Sequence, residues 1–286
     1  MVNYSNFGII IVLYYPNLES VSNLISNLHS ECNIFIVDNT PDVSLKSTFL
    51  IYNNVHYFPF SINKGIACAQ NFAISHIDSL HRDIQFLLFL DQDSIISNNF
   101  LDIMYSEYLR LNSMNPLISI IAPILIDIET NDCFPKNKSK YNDTSDYYLT
   151  DIVISSGMFT NINLFSKVGN FREDLFIDYV DFEWCWRAKT YNYICVVTKN
   201  VSLLHKVGIS RFSFLKHNFI LSKPFRYFYQ NRNFIKLLKE NHVPLSWKFN
   251  NFIKKVFLLF YIPIKSKDGI IYFKFMIRGF LKGIFN

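Results

Sequence analysis

The sequence predicts an α/β protein, a mostly parallel central sheet flanked by helices, followed by a helical, basic and aromatic C-terminal extension. Three observations carry this. Apolar runs of strand length, among them Gly8 to Tyr14, Ile34 to Val37 and Phe86 to Leu90, alternate with segments of helical periodicity, the pattern of strands buried on both faces. Two of these runs stop abruptly at acidic side chains, Asp38 and the pair Asp91 and Asp93. Half of the 286 residues are hydrophobic and 17% are aromatic, which excludes a disordered chain and suffices for one large core. The expected organisation is a body over residues 1–210, its halves meeting near residue 95, and an extension over 211–286.

The first strand, Gly8 to Tyr14, leads through Pro16-Asn17 into a helical pattern with Leu18, Val21, Leu24, Ile25 and Leu28 on one side. Ile34 to Val37 follows, so the chain opens as a right-handed βαβ unit. Asp38 at the second strand's end either accepts hydrogen bonds from a nucleotide or makes an Asx-type turn before Thr40-Pro41. A short strand, Val55 to Phe58, runs into Asn63-Lys64-Gly65, where a glycine followed by small residues marks a tight entry into a helix reaching about Leu80. Asn63 and Gly65 can approach a nucleotide there and Lys64 a phosphate; a plain helix entry is the other reading.

The Phe86 to Leu90 strand delivers Asp91-Gln92-Asp93. Alternate residues of a strand point the same way, so the two carboxylates can converge. Ligands of open α/β sheets bind beyond the carboxyl ends of strands, and two hard oxygen ligands there suit a divalent cation shared with substrate phosphates. A helix over Asn98 to Leu111 and a strand over Ile118 to Ile124 come next. The polar segment Asp127 to Ser145 reads as a surface excursion. Ile152 to Gly157 reads as a strand broken by a glycine, where Ser156 and Gly157 let backbone approach an acceptor. A second acidic cluster, Asp178, Asp181 and Glu183, stands at a helix start beside Trp184, Trp186 and Arg187. Such acids either accept a proton beside a cleft or simply cap the helix. Two closing strands, Ile194 to Val197 and Val201 to Leu204, end at His205, either a metal or diphosphate contact or a structural histidine.

The net charge of +5 hides a split: residues 1–205 carry −9 and residues 206–286 carry +14. From Phe214 onward the chain reads helical, with Lys and Arg interleaved among Phe, Tyr and Trp, as an interfacial segment on anionic lipid requires. Packing on the body or on another subunit is the competing reading, and an oligomer is possible. No RNP-like motif or Gly-x-x-Gly clamp supports nucleic-acid binding. The apolar runs Ile118 to Ile128 and Val256 to Ile264 are too short or too interrupted to span a bilayer. With no basic, apolar leader over residues 1–6 and five scattered cysteines, a cytoplasmic protein with reduced thiols and no structural zinc is expected.

In order and spacing these pieces resemble the family 2 glycosyltransferases of GT-A fold, and within them bacterial rhamnosyltransferases of O-antigen assembly. The resemblance covers residues 8 to about 235. It rests most on Leu90-Asp91-Gln92-Asp93-Ser94, on the run from Phe176 to Cys185, and on Arg226-Tyr227-Phe228-Tyr229-Gln230-Asn231-Arg232-Asn233. It implies a GT-A catalytic domain in which Asp38, Asn63 and Gly65 meet the nucleoside. Asp91 and Asp93 form the D-x-D motif, Asp93 the direct ligand of Mg²⁺ or Mn²⁺, with His205 beside the metal. Asp181 is the base on the acceptor hydroxyl, and Arg232 serves the donor diphosphate. Many relatives carry Glu-Asp where this chain has Val180-Asp181, which keeps Asp178 and Glu183 in competition as the base. Ser156, Gly157, Asp178, Glu183 and Trp184 fall on the acceptor side. The implied reaction is inverting transfer from dTDP-L-rhamnose to a polyprenyl-diphosphate-linked saccharide at the inner face of the plasma membrane. A galactofuranosyl or other hexosyl transferase using a UDP-sugar, and a non-catalytic sugar-nucleotide-binding protein, are the alternatives.

Overall fold

The structure, a computed structural model, describes residues 2–42, 44–81, 83–134, 146–205, 210–214 and 217–285. The chain begins β1 (Phe7–Leu13), α1 (Leu18–Ser26), β2 (Asn33–Asp38), α2 (Lys46–Phe49), β3 (Val55–Pro59), α3 (Ile66–Leu80) and β4 (Phe86–Asp91). It continues with α4 (Phe100–Met114), β5 (Ile118–Asp127), β6 (Cys133–Phe134), β7 (Tyr147–Thr150), β8 (Phe159–Asn161), α5 (Asn163–Val168), α6 (Val180–Thr190) and β9 (Ile194–His205). A hairpin, β10 (Ser210–Phe214) and β11 (His217–Leu221), precedes α7 (Pro224–Leu238), α8 (Leu245–Lys265) and α9 (Gly269–Phe285).

The main sheet runs β3-β2-β1-β4-β8-β5-β9-β7, with β6 on β5. Strands β3, β2, β1 and β4 are parallel to one another, β5 is parallel to β9, and β8 enters antiparallel between the two groups. This is the mostly parallel sheet the apolar runs predict. Alternation within each strand fills both faces. Ile9, Ile11 and Leu13 pack with Val21, Leu24 and Met104 of α1 and α4. Ile10, Phe35 and Phe89 pack on the other face with Ala73 and Ile77 of α3 and with Trp184 of α6. The register pairs Leu13 with Asp38 and Val12 with Asp91, so the strand ends that carry polar groups lie side by side.

Four expectations are corrected. Ile152 to Gly157 is not a strand: Met158 N–H closes a turn on the Ser155 carbonyl, Gly157 holds φ +82°, and the pairing strand starts at Phe159. The two closing strands are one, β9, whose register against β5 shifts between Ala122 and Ile124. The chain after Phe214 first forms β11 and turns helical only at Pro224, a residue preorganised for a first helical turn. Of the polar excursion Asp127 to Ser145, Cys133 and Phe134 pair with β5; residues 135–145, with Lys136, Asn137, Lys138, Ser139, Lys140 and Asn142, lie outside the described residues, as do Lys206, Val207 and Gly208.

Helices α7, α8 and α9 pack about Tyr227, Leu258, Ile262, Tyr272 and Met276. Helix α9 approaches α7 through glycine: a Cβ at Gly279 would stand 2.3 Å from the Phe228 carbonyl oxygen. The α7 end and its following turn close on the body, with Leu237 and Val243 against Trp186.

Candidate active site

A cleft of about 850 Å³ opens at the strand ends, within the range of small-molecule sites. Asp91, Asp93, His205, Ser156, Asn63, Gly65, Asp178 and Asp181 all line it.

Asp91 and Asp93 converge, though not through the pleat. Strand β4 ends at Asp91, and Ser94 reverses the chain: its N–H donates to the Asp91 carbonyl at 3.1 Å while its hydroxyl accepts the Asp91 N–H at 3.0 Å. Gln92 turns the other way and clasps Tyr14, accepting its N–H at 2.8 Å and donating to its carbonyl at 3.2 Å. The carboxylates meet His205, carried on the end of β9, and ligand atoms from the three residues lie within 4.8 Å of one another. His205 Nδ1 stands 3.6 Å from an Asp93 oxygen, and this buried nitrogen has no hydrogen-bond partner. A buried polar atom left unpaired is costly, and two carboxylates around an unpaired imidazole nitrogen are the donor set of a divalent-cation site. Burial, together with the Asp93 charge, raises the Asp91 pKa.

Asp181 opens α6 after a loop in which Phe176, Asp178 and Tyr179 hold φ of 65°, 67° and 68°. Backbone of this kind is strained in non-glycine residues and persists where surroundings enforce it. Helix α7 does so. Asn233, fully buried, donates to the carbonyls of Leu175, Ile177 and Asp178 at 2.8, 2.8 and 3.0 Å. Arg232 donates to the carbonyls of Asp174 and Leu175, and Arg226 forks onto the Asp178 carboxylate. On the loop's other side, Ile66 N–H donates to the Phe176 carbonyl at 2.8 Å. Gly65 permits that approach: with φ +86°, an added Cβ would meet the same carbonyl oxygen at 2.6 Å. The Asp181 carboxylate accepts the N–H groups of Ser155 and Phe182 at 3.1 and 2.9 Å. Burial nonetheless pushes its pKa up to about 6, near the range useful to a general base.

Several predicted residues stand elsewhere. Asp38 is fully buried and makes the Asx-type turn: it accepts the Thr40 N–H and the Tyr57 hydroxyl, and its neighbour Asn39 reaches the cleft instead. Lys64 lies over the Phe60 ring. Gly157 serves packing, since a Cβ there would strike Pro123 at 2.6 Å. Glu183 is sealed in the body between Arg187 and His242, each 3.0 Å from it; burial alone would raise its pKa, but those hydrogen bonds hold it below the usual value. Trp184 packs on Phe165 and Phe171 and donates its indole N–H to the Gly169 carbonyl. Arg232 donates to carbonyls of the loop and is not among the described residues that line the cleft.

Two cleft residues escaped the sequence reading. Asn39 ties the loops together, donating to the Gly65 carbonyl and accepting the Lys64 N–H, both at 3.0 Å. Arg226 is the one Lys or Arg among the described lining residues. Burial tends to lower its pKa, but Asp178 outweighs this and the guanidinium stays charged. Its only sequence signal was its place in the Arg226 to Asn233 motif.

No family model matches the chain. It is 30% identical over 290 residues to the dTDP-rhamnosyl transferase RfbF of Shigella flexneri, covering 98% of this chain and 96% of that protein. Among solved structures, S. aureus TarS 1-349 in complex with UDP-GlcNAc aligns with a TM-score of 0.55 at 13% identity, over 96% of this chain and 79% of that one. GalNAc-T7 with UDP, GalNAc and Mn²⁺ also aligns at 0.55 with 12% identity, over 88% of this chain and 55% of that one. The chain spans 46% of a longer TarS chain. At these identities the structural likenesses show the fold, the GT-A architecture. With the RfbF match over nearly its whole length, the chain belongs to the rhamnosyltransferase-like glycosyltransferases of GT-A fold.

Proposed function

We propose that this glycosyltransferase moves L-rhamnose from dTDP-L-rhamnose, with inversion, onto a polyprenyl-diphosphate-linked saccharide of O-antigen or surface-polysaccharide assembly, at the inner face of the plasma membrane. The donor follows from the name of the 30% identical relative. The observation that carries the chemistry is Asp181 in the same cleft as the Asp91, Asp93 and His205 cluster.

In this reading Asp181 accepts the proton of the acceptor hydroxyl, whose oxygen bonds to the anomeric carbon as the bond from that carbon to the diphosphate oxygen breaks and its electron pair leaves with the nucleoside diphosphate. Attack opposite the leaving group needs one base and no covalent intermediate. Asp91, Asp93 and His205 would hold a divalent cation, which when bound neutralises charge growing on the diphosphate. Arg226 supplies a fixed positive charge to the same cleft, anchored by Asp178. Asn39, Asn63 and Gly65 form the nucleoside side, and Ser156 the acceptor side. Residues 1–210 are read as the catalytic unit and 211–286 as the extension that braces it.

The test is thermal stabilisation by dTDP-rhamnose, UDP-galactose and GDP-mannose, with Mg²⁺, with Mn²⁺ and without metal. A donor at 100 times its Kd stabilises by about 2.7 kcal/mol. The largest metal-dependent shift is expected with dTDP-rhamnose; a shift confined to a UDP- or GDP-sugar would overturn the donor assignment.

A further inference from the structure

Helix α8 carries two opposed faces. Leu258 and Ile262 are buried against α7 and α9. Leu245, Phe249, Phe252, Val256, Phe260 and Ile264 are exposed, Leu245 by 80%, Phe249 by 65% and Phe260 by 62%. At 100° per residue these six fall within about 120° of arc, turned away from Leu258 and Ile262. They make an apolar stripe along a helix roughly 30 Å long. Monomeric proteins seldom leave a contiguous apolar strip of that length facing water.

Charge says what covers it. Between Leu245 and Phe285 the chain has eight Lys or Arg and a single acid, Asp268. Lys254 and Lys265 of α8 and Lys267 in the turn after it are exposed, and α9 exposes Lys274, Arg278 and Lys282 at four-residue spacing. A second copy docking by a two-fold axis would set one strongly basic segment against another. No helix among the described residues is long and apolar enough to cross a membrane. An exposed apolar strip within so basic a segment instead suits a helix lying in a bilayer interface, its apolar side chains among acyl chains and the segment's cations among anionic headgroups.

We infer that the exposed apolar face of α8, together with the cations that α8 and α9 expose, docks the enzyme on an anionic lipid bilayer without spanning it. The inference deepens the proposed reading, since a lipid-linked acceptor presents its saccharide at that same surface. Docking would also reach the site, because buried Lys255 on α8 donates to Asn231 of α7 and stands 5.6 Å over the Tyr179 ring, two residues before Asp181.

Flotation of the full chain with phosphatidylcholine vesicles, and with vesicles containing one quarter phosphatidylglycerol, tests this without donor or acceptor, so it stands or falls independently of the transferase assignment. The chain should float with the anionic vesicles and be released by 0.5 M salt. Phe249→Glu with Phe260→Glu should cut vesicle binding at least about tenfold, with an unchanged thermal midpoint. Ile51→Glu, exposed on the body and outside the C-terminal helices, should bind like the wild type. The inference is overturned if the wild type stays with the soluble fraction, if the double variant floats equally well, or if sedimentation shows a wild-type dimer that the double variant loses.

Discussion

The Asp181 assignment makes a quantitative prediction about pH. With a pKa raised to about 6, the carboxylate is about nine-tenths ionised at pH 7 and about one-tenth at pH 5. The single-turnover transfer rate at saturating donor should therefore fall about tenfold between those values if ionised Asp181 is the base. Bound cation acts in the opposite sense, so about 6 is the upper end of the expected midpoint. Asp181→Asn removes the base and should lower the rate by at least about a hundredfold while nucleotide binding stays within a few-fold. The variant should remain folded, and the sign of the linkage explains why. An acid whose folded pKa is raised stabilises the fold only at low pH; that contribution is complete below about 4 and lost as pH rises through about 6, leaving a cost of about 3 kcal/mol at neutral pH. Asparagine removes that cost but sets an amide N–H against one of the two N–H groups of Ser155 and Phe182, at about 1–3 kcal/mol, so the two effects nearly cancel. Rates measured by quenched flow with radiolabelled donor from pH 4.5 to 8 decide the matter. An acid limb that survives unchanged in Asp181→Asn, or a variant that keeps a tenth of the wild-type rate, would refute the assignment.

Glu183→Ala should destabilise the fold by about 3–5 kcal/mol in urea titrations, because Arg187 and His242 lose a buried partner, while Glu183→Gln should leave the transfer rate of the folded enzyme within a few-fold. Gly65→Ala should weaken donor binding at least about tenfold in calorimetry, since a Cβ at φ +86° pushes on the Phe176 carbonyl and on the loop leading to Asp181. Lys255 has its pKa lowered to about 7 by burial; its depressed value penalises the folded state below pH 7, and the penalty fades as pH rises toward 10.5. Lys255→Met should thus raise the thermal midpoint at pH 6, worth on the order of 2 kcal/mol after the loss of the Asn231 hydrogen bond, with little or no gain left by pH 9.5.

What the sequence made legible follows from local physics. The run into Asp91-Gln92-Asp93 announced both its strand and its site, because a doubly buried strand that stops at acids leaves them at the sheet's carboxyl edge. Asp181 and Glu183 were harder to separate. Two residues along a helix rotate a side chain by about 200°, so one faces the cleft and the other the interior, and which is which depends on His242, far along the chain. The same holds for Arg226 and Arg232, six residues apart on α7, whose roles are fixed only by how α7 lies across the 174–179 loop. Arg211 to Phe214 alternates polar and apolar residues, yet the aromatic and basic composition of residues 211–286 favoured a helix. Strand preference depends on pairing that only the fold supplies.

The carboxamide of Asn233 that spans three backbone carbonyls has a consequence for recombining this enzyme with its relatives. Because α7 moors the segment bearing Asp181, the proposed base, an exchange junction placed between Leu221 and Pro224 would graft a foreign mooring onto a native segment and should yield a folded but idle hybrid. A junction in the turn after Val243 keeps the mooring and its segment from one parent, so such hybrids should turn over while inheriting the outer two helices, and with them the proposed membrane contact, from the other.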